Sequence, residues 1–257
     1  MSNLVIARDD AVLTIRIDRE DTLGALSRAM VEELGERLRA IRADDTVRAV
    51  VLTGTGRGFI AGADIGEYDG ATAAEFDAYQ RLSRSVFGEL AALPQPTVAA
   101  VNGYAFGGGF EVALCCDFII ASDRARFALP EVKLGLIPGG GGTQRLARAL
   151  GTRLTKELVL TGRTLYPDEA DRRGLLTRLV PADELADTAA EFAAQLAAAA
   201  PLAVREAKRV VDDGIRQDLD AGLTAEQSAL ARLYASADGR EGIAAFVAKR
   251  APRFVGR

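Results

Sequence analysis

The stretch Thr97-Val98-Ala99-Ala100-Val101-Asn102-Gly103-Tyr104-Ala105-Phe106-Gly107-Gly108-Gly109-Phe110-Glu111 decides how this chain is read. An apolar run carries it on to Phe127-Ala128-Leu129-Pro130-Glu131-Val132-Lys133-Leu134-Gly135-Leu136-Ile137-Pro138 and the run Gly139 to Gly142. Thr97 to Val101 reads as a buried strand. Gly107 to Gly109 lead into a helix starting near Phe110, with Glu111 in its first turn. Glycines let the backbone approach a ligand closely, and a helix start presents unpaired N–H groups with a partial positive charge, so this geometry favours an anion.

Two glutamates and two glycine-lined turns suit proton movement beside a carbonyl. Backbone N–H groups near Ala63 and Gly108 can hydrogen-bond a carbonyl oxygen as it becomes an enolate. One ionised and one protonated glutamate can hold a water between them, the first deprotonating it and the second protonating carbon. A plainer role competes at each position. A glutamate in the first turn of a helix is favourable with no further duty, so Glu111 taken alone reads as structural. Glu131 follows Pro130 among apolar Phe127, Leu129, Val132 and Leu134, where an idle carboxylate is costly. Asp64 and Asp117 read as turn or cap residues; Gly139 to Gly142 opens another helix, with a simple tight turn as the plainer alternative.

Composition narrows the chemistry. The 257 residues carry 32 basic and 36 acidic side chains, which argues against a nucleic-acid surface. The chain lacks histidine, which excludes a Ser-His-Asp or Cys-His nucleophile and a histidine-bound metal. The only cysteines, Cys115 and Cys116, are adjacent in an apolar segment and read as small buried residues. No secretory leader and no run of about 18 apolar residues occurs, so a cytoplasmic location and no membrane partner are expected.

Outward from the central stretch, the sequence reads as follows. Leu4 to Asp18 alternates as two strands around Arg8-Asp9-Asp10. Ser27 caps a helix with Met30, Leu34, Leu38 and Ile41 on one face, and Ala49 to Thr53 is a buried strand. The loops at 54–58 and 59–65 do not match the dinucleotide fingerprint, because Phe59 falls where the third glycine belongs, and no Walker lysine follows. Thr72 and Glu75 form a capping box for a helix stopping at Pro94 and Pro96. Asp117 to Ser122 and Leu176 to Val180 are strand-like. Helices are expected at 154–161, at 168–173, to Ala200, at 202–211, at 219–236 and at 240–250. The result is a strand-and-helix core over residues 1–196, with a loose strand-strand-helix order, and a helical region over 197–257. That region is too small for its own core and is expected to carry an oligomer interface.

Three runs, Phe59 to Ile65, Val98 to Asp117 and Phe127 to Arg145, resemble enoyl-CoA hydratase, the crotonase family. The match spans nearly the whole chain. The specific parts are Ala-Gly-Ala-Asp-Ile at 61–65, Gly-Gly-Gly-Phe-Glu at 107–111, and Pro-Glu with Leu-Gly-Leu-Ile-Pro-Gly at 130–139. The ending from Glu241 to Arg250 resembles the family's last helix. The resemblance implies an α/β (α+β) fold of repeated ββα units coiled into a spiral, with terminal helices making trimers that pair into hexamers. It places Glu111 and Glu131 at both catalytic glutamate positions and makes the N–H groups of Ala63 and Gly108 the thioester oxyanion hole. It lays the CoA along the backbone at Ala61, Ala63, Asp64, Ile65 and Gly66, beside Gly108, with Lys249 and Arg250 as candidates for its phosphates.

Because both glutamates are retained, the implied activity is addition of water across the 2,3 double bond of a 2-enoyl-CoA, giving a 3-hydroxyacyl-CoA. No separate cofactor is implied, CoA being part of the substrate. Where the family commonly has Asn-Ala-Leu, this chain has Gly24-Ala25-Leu26, with acidic Asp21 nearby. The alternatives are a relative that isomerises, dehydrates or cleaves an acyl-CoA with the same oxyanion hole, or an RNA-binding relative, against which the acidic balance speaks.

Overall fold

A computed structural model describes residues 3–257. The chain opens with an antiparallel hairpin, β1 (Leu4–Asp9) and β2 (Val12–Ile17), followed by α1 (Arg28–Arg42). The strand-strand-helix order then repeats three times: β3 (Ala49–Gly54), β4 (Gly58–Ile60) and α2 (Ala73–Ala91); β5 (Thr97–Val101), β6 (Tyr104–Phe106) and α3 (Gly108–Cys115); β7 (Phe118–Ser122), β8 (Arg126–Ala128) and α4 (Gly142–Leu150). Each repeat contributes one strand to each of two sheets. The larger sheet has the order β1-β2-β3-β5-β7-β9, where β9 is Arg178–Val180, and the smaller has β4-β6-β8. All pairings except β1 with β2 are parallel. Parallel neighbours need a crossover, and here the second strand and the helix of each unit supply it.

The expected ββα spiral is thus the observed one, but three of its strands, β4, β6 and β8, are absent from the sequence reading, each being three residues long and too short to show alternation. A further difference is that α3 starts at Gly108 rather than near Phe110.

Apolar runs such as Ala49 to Leu52 and Thr97 to Val101 arise because a parallel sheet is buried on both faces. The two-residue period divides them. Val50, Leu52, Ala99, Val101 and Ile119 face the main core, together with α1 residues Met30, Leu34, Leu38 and Ile41. Ala49, Val51, Val98, Ala100 and Ile120 face the other way, onto Leu185, Ala189, Ala193 and Ala197 of α7 (Leu185–Ala198). Alanine at every fourth position lets α7 lie close against the sheet, so this helix completes the core.

Between β8 and α7 come α5 (Thr152–Thr161) and α6 (Pro167–Arg172). Beyond α7, α8 (Pro201–Gly214), α9 (Leu219–Ala235) and α10 (Ala237–Val247) form the helical end. α10 starts three residues earlier than the sequence suggests, because Ser236 closes α9 and its hydroxyl then accepts from Gly239 N–H as the next N-cap. Lys208 ties α8 to the core, its Nζ 2.7 Å from Asp117 Oδ2. Among the described residues, no helix is long and apolar enough to cross a membrane.

Candidate active site

The carboxyl ends of the three parallel strands of the small sheet converge. Three residues past β4 lies Ala63, two past β6 begins α3 with Gly108, and three past β8 lies Glu131. Ligand sites favour this edge of a parallel sheet, where chain ends splay and backbone groups lose their ladder partners.

Gly107 and Gly109 make the convergence possible. Gly107 adopts φ +49°, a conformation that side-chained residues rarely hold, and a Cβ there would also come within 3.1 Å of Glu131 Oε1. At Gly109 a Cβ would lie 1.8 Å from the Ile60 carbonyl oxygen, so α3 can approach β4 only without a side chain. The backbone beside Ala63 is thereby held against the start of α3, with Gly62 Cα 3.8 Å from the Cβ position of Gly107.

The two N–H groups are left unspent. Ala63 sits in a parallel bridge with Leu26 in which Leu26 N–H donates to Gly62 O and Asp64 N–H to Leu26 O; Ala63's own N–H points away from that pair. Gly108 supplies the first N–H of α3, which has no carbonyl four residues back inside the helix. Neither has an acceptor among the described residues. Two converging donors near a helix start are the arrangement that stabilises a developing oxyanion.

Glu111 is 3 % exposed and is held rigidly: its Oε1 accepts from Gly140 N–H and Gly142 N–H, each at 2.8 Å. The glycine run does open a helix, as the sequence suggests, and the N-terminus of α4 that it forms closes on a carboxylate. Such a terminus binds anions, and here the anion belongs to the chain itself. Burial raises the Glu111 ionisation above its ordinary value, while the N–H groups of 140–142 and Arg145 pull it back. Glu131 has no such cradle. It opens a 3-10 turn at Glu131–Leu134, and its buried Oε2 has no hydrogen-bond partner among the described residues. Burial first, then the charge of Glu111, pushes its ionisation up to about 7, opposed only by its own backbone N–H. The two carboxyls are thus held differently: backbone N–H groups and Arg145 favour the ionised form of Glu111, and burial without a partner favours the protonated form of Glu131.

Both carboxylates face one cavity of about 180 Å³, lined also by Ala61, Ala63, Ile65, Gly108 and aromatic side chains of α2 and the loop before it. Tyr68 packs edge-on against Phe76 and Tyr79 along one wall. Asp64 and Gly66 lie outside the lining. Asp64 accepts from Gly66 N–H and pairs with Arg19 at 2.8 Å, which fits its reading as a cap residue. Lys249 and Arg250 follow α10 and are also outside the lining. Arg250 is bound by Glu241, while Lys249 makes no side-chain bond among the described residues. A larger hollow of about 1040 Å³ lies against the far face of the sheet beside α7 and holds none of the expected site residues. Cys115 and Cys116 are free, with burial pushing both thiols up, so neither is a ready nucleophile.

The sequence profile of the enoyl-CoA hydratase/isomerase family matches residues 7–257. A probable enoyl-CoA hydratase of Mycobacterium bovis is 41 % identical over 254 residues, covering 99 % of this chain and 98 % of the relative. The short-chain-enoyl-CoA hydratase of Clostridium acetobutylicum is 39 % identical over 251 residues, covering 97 % and 96 %. The crystal structure of an enoyl-CoA hydratase from Bacillus anthracis superposes with a TM-score of 0.97 at 39 % identity, covering 99 % of this chain and all of that one.

Proposed function

The chain belongs to the enoyl-CoA hydratase/isomerase family, and from that premise we propose that it is a hydro-lyase adding water across the 2,3 double bond of a 2-enoyl-CoA thioester. The observation that carries the hydratase reading over the isomerase one is that two carboxylates, differently held, share one cavity with two unspent N–H groups. A double-bond shift needs one shuttling carboxylate, whereas hydration needs a group to activate water and a group to protonate carbon.

The thioester oxygen lies between the N–H groups of Ala63 and Gly108, whose donors are worth about 3–4 kcal/mol each as enolate charge develops. Glu111, fixed by Gly140 and Gly142, takes a proton from water as the water oxygen bonds to C3. Glu131 gives its proton to C2, and the 3-hydroxyacyl thioester results. The enzyme resets when the proton gained by Glu111 passes to Glu131. CoA runs along the backbone from Ala61 to Gly66. Lys249, with a free ammonium, meets a phosphate of the CoA, supplied to its own or a neighbouring copy.

Purified protein should remove the enoyl absorbance of short 2-enoyl-CoA thioesters and yield 3-hydroxyacyl-CoA. Absence of that loss across several chain lengths, with isomerisation of a 3-enoyl-CoA instead, overturns the reading.

The helical end supports assembly into a trimer or hexamer of the same chain. Ile215 is 82 % and Phe246 84 % exposed, and Leu219, Tyr234 and Val247 are exposed as well, large apolar side chains spread from the end of α8 over α9 and α10 that an assembly would cover. Sedimentation should give three or six times 27.2 kDa, and Phe246→Asp should shift it downward. A monomer at micromolar concentration refutes this.

A further inference from the structure

Glu131 is held less directly than Glu111. Among the described residues no other residue donates to its carboxyl, so the direction in which the acid points is set by the backbone of its 3-10 turn, Glu131–Leu134. Within and just beyond the turn, Lys133 N–H donates to the Pro130 carbonyl oxygen and Leu136 N–H to that of Glu131. Such local bonds shape the turn without fixing it to the rest of the molecule, and a 3-10 segment of four residues is weakly bonded by itself. A brace from outside the turn is therefore needed.

The end of α5 supplies one. Lys133 reaches 29 residues along the sequence, and its Nζ donates to the Gly162 carbonyl oxygen at 2.7 Å. Gly162 closes α5 in the left-handed region, at φ +58°, with its N–H given to the Leu158 carbonyl oxygen. A Cβ built on it would lie 3.0 Å from Lys133 Cε and 3.1 Å from Pro130 Cα, so the bare backbone of Gly162 touches the chain on both sides of Glu131. α5 is a firm base, because Leu158 and Val159 bury it in the main core. A plainer role competes: a cation at the C-terminus of a helix is favourable with no further duty. The two roles part at Glu131, since a cap affects only the stability of α5, whereas a brace affects the rate. Charge is not the link, because burial, its own N–H and Glu111 are what move the Glu131 ionisation, and Lys133 is not among them.

Resting on the hydratase reading above, we propose that Lys133 is a positioning residue for the reaction: its ammonium, anchored on the Gly162 carbonyl oxygen, fixes the turn that aims the Glu131 carboxyl at C2. It touches neither substrate nor reacting atoms and acts only through Glu131.

The test measures hydration of a short 2-enoyl-CoA by wild type, Lys133→Met, Lys133→Arg, Glu131→Gln and the double variant Glu131→Gln/Lys133→Met. Lys133 is an exposed residue, so its variants should fold; should Lys133→Met fail to, Lys133→Gln carries the same comparison. Lys133→Met keeps the stem and loses the donor, so kcat should fall about tenfold or more while KM changes less than about twofold, because the thioester grip at Ala63 and Gly108 is untouched. Lys133→Arg, which keeps a cationic donor, should recover kcat to within about threefold of wild type. The alkaline limb of Lys133→Met should lie at the wild-type pH. In the Glu131→Gln background Lys133→Met should cost less than about twofold more, since no proton donor is left to aim. Unchanged kcat in Lys133→Met overturns the proposal and leaves Lys133 as a cap of α5, whatever the melting temperature. A loss that persists in full in the Glu131→Gln background, an Arg variant no better than Met, or an alkaline limb displaced by about one pH unit also overturns it. Wild type that hydrates no 2-enoyl-CoA removes the hydratase reading and this inference with it; wild type and Lys133→Met hydrating equally well removes only this inference.

Discussion

Raising the pH above 7 should strip from Glu131 the proton that the mechanism delivers to C2. With ionisation at about 7, the protonated fraction drops from about one half at pH 7 to about one tenth at pH 8 and about one hundredth at pH 9. The expected kcat/KM for 2-enoyl-CoA hydration therefore falls about fivefold and then about fiftyfold over that range. An acid limb should lie lower, where Glu111, raised above the ordinary carboxylate value by burial, takes up a proton and can no longer activate water. Glu131→Gln should lower kcat/KM by about 10² to 10⁴ and abolish the alkaline limb, because its amide has no proton to give. The assay is the initial rate of enoyl absorbance loss at low substrate from pH 5 to 9, for both proteins. A wild-type profile that is flat from pH 6 to 9, or an alkaline limb that persists unchanged in Glu131→Gln, refutes the assignment of Glu131 as the acid. Stability gives an independent reading with a definite sign. A carboxyl whose folded ionisation is raised contributes stability that is fully present below the unfolded value and is lost as pH rises through about 7. Glu131→Gln should therefore melt with wild type near about pH 4 and above it at about pH 8.

Glu111 and Gly109 give further tests. Glu111→Gln keeps an oxygen for Gly140 and Gly142 N–H, so it should fold like wild type yet lose hydration by about 10² to 10⁴. Glu111→Ala leaves those two buried N–H groups unpaired, costing about 2 to 4 kcal/mol and roughly 5 to 15 °C in Tm by thermal melting. Equal melting of the two variants would show that the cradle contributes nothing. Gly109→Ala forces a Cβ to within 1.8 Å of the Ile60 carbonyl oxygen, and neither backbone can yield without separating the two oxyanion donors. Expected are a loss of about 3 kcal/mol in chemical denaturation and about 10²-fold in kcat/KM; an unchanged rate would mean that the approach of α3 to β4 does not position the site.

How far the fold could be read depended on element length. Helix α1 declared itself through Ser27 and the spacing of Met30, Leu34, Leu38 and Ile41, and α2 through Thr72 with Glu75, because caps and a 3.6-residue period are local properties. β4, β6 and β8 did not, because three residues carry no period, and their hydrogen-bond partners come from distant repeats. The same limit hid the second half of the site. Glu111 and Glu131 were visible as residue types set beside glycines. That Gly140 and Gly142 hold Glu111 was not, because the contact spans about thirty residues of sequence and the donors are backbone N–H groups, which no side-chain pattern reports.

The sequence by itself determined the longer strands and helices, the absence of histidine chemistry, the two candidate glutamates and the glycine loops able to approach a carbonyl, since each follows from local residue identity. Only the tertiary structure decided that backbone N–H groups and Arg145 favour the ionised form of Glu111 while burial favours the protonated form of Glu131, and that Asp64 spends its charge on Arg19. These depend on burial and on through-space partners. The desolvation of Glu131 and the cradle around Glu111 exist only once the strand ends of the small sheet, α2 and the start of α4 have been folded onto one another.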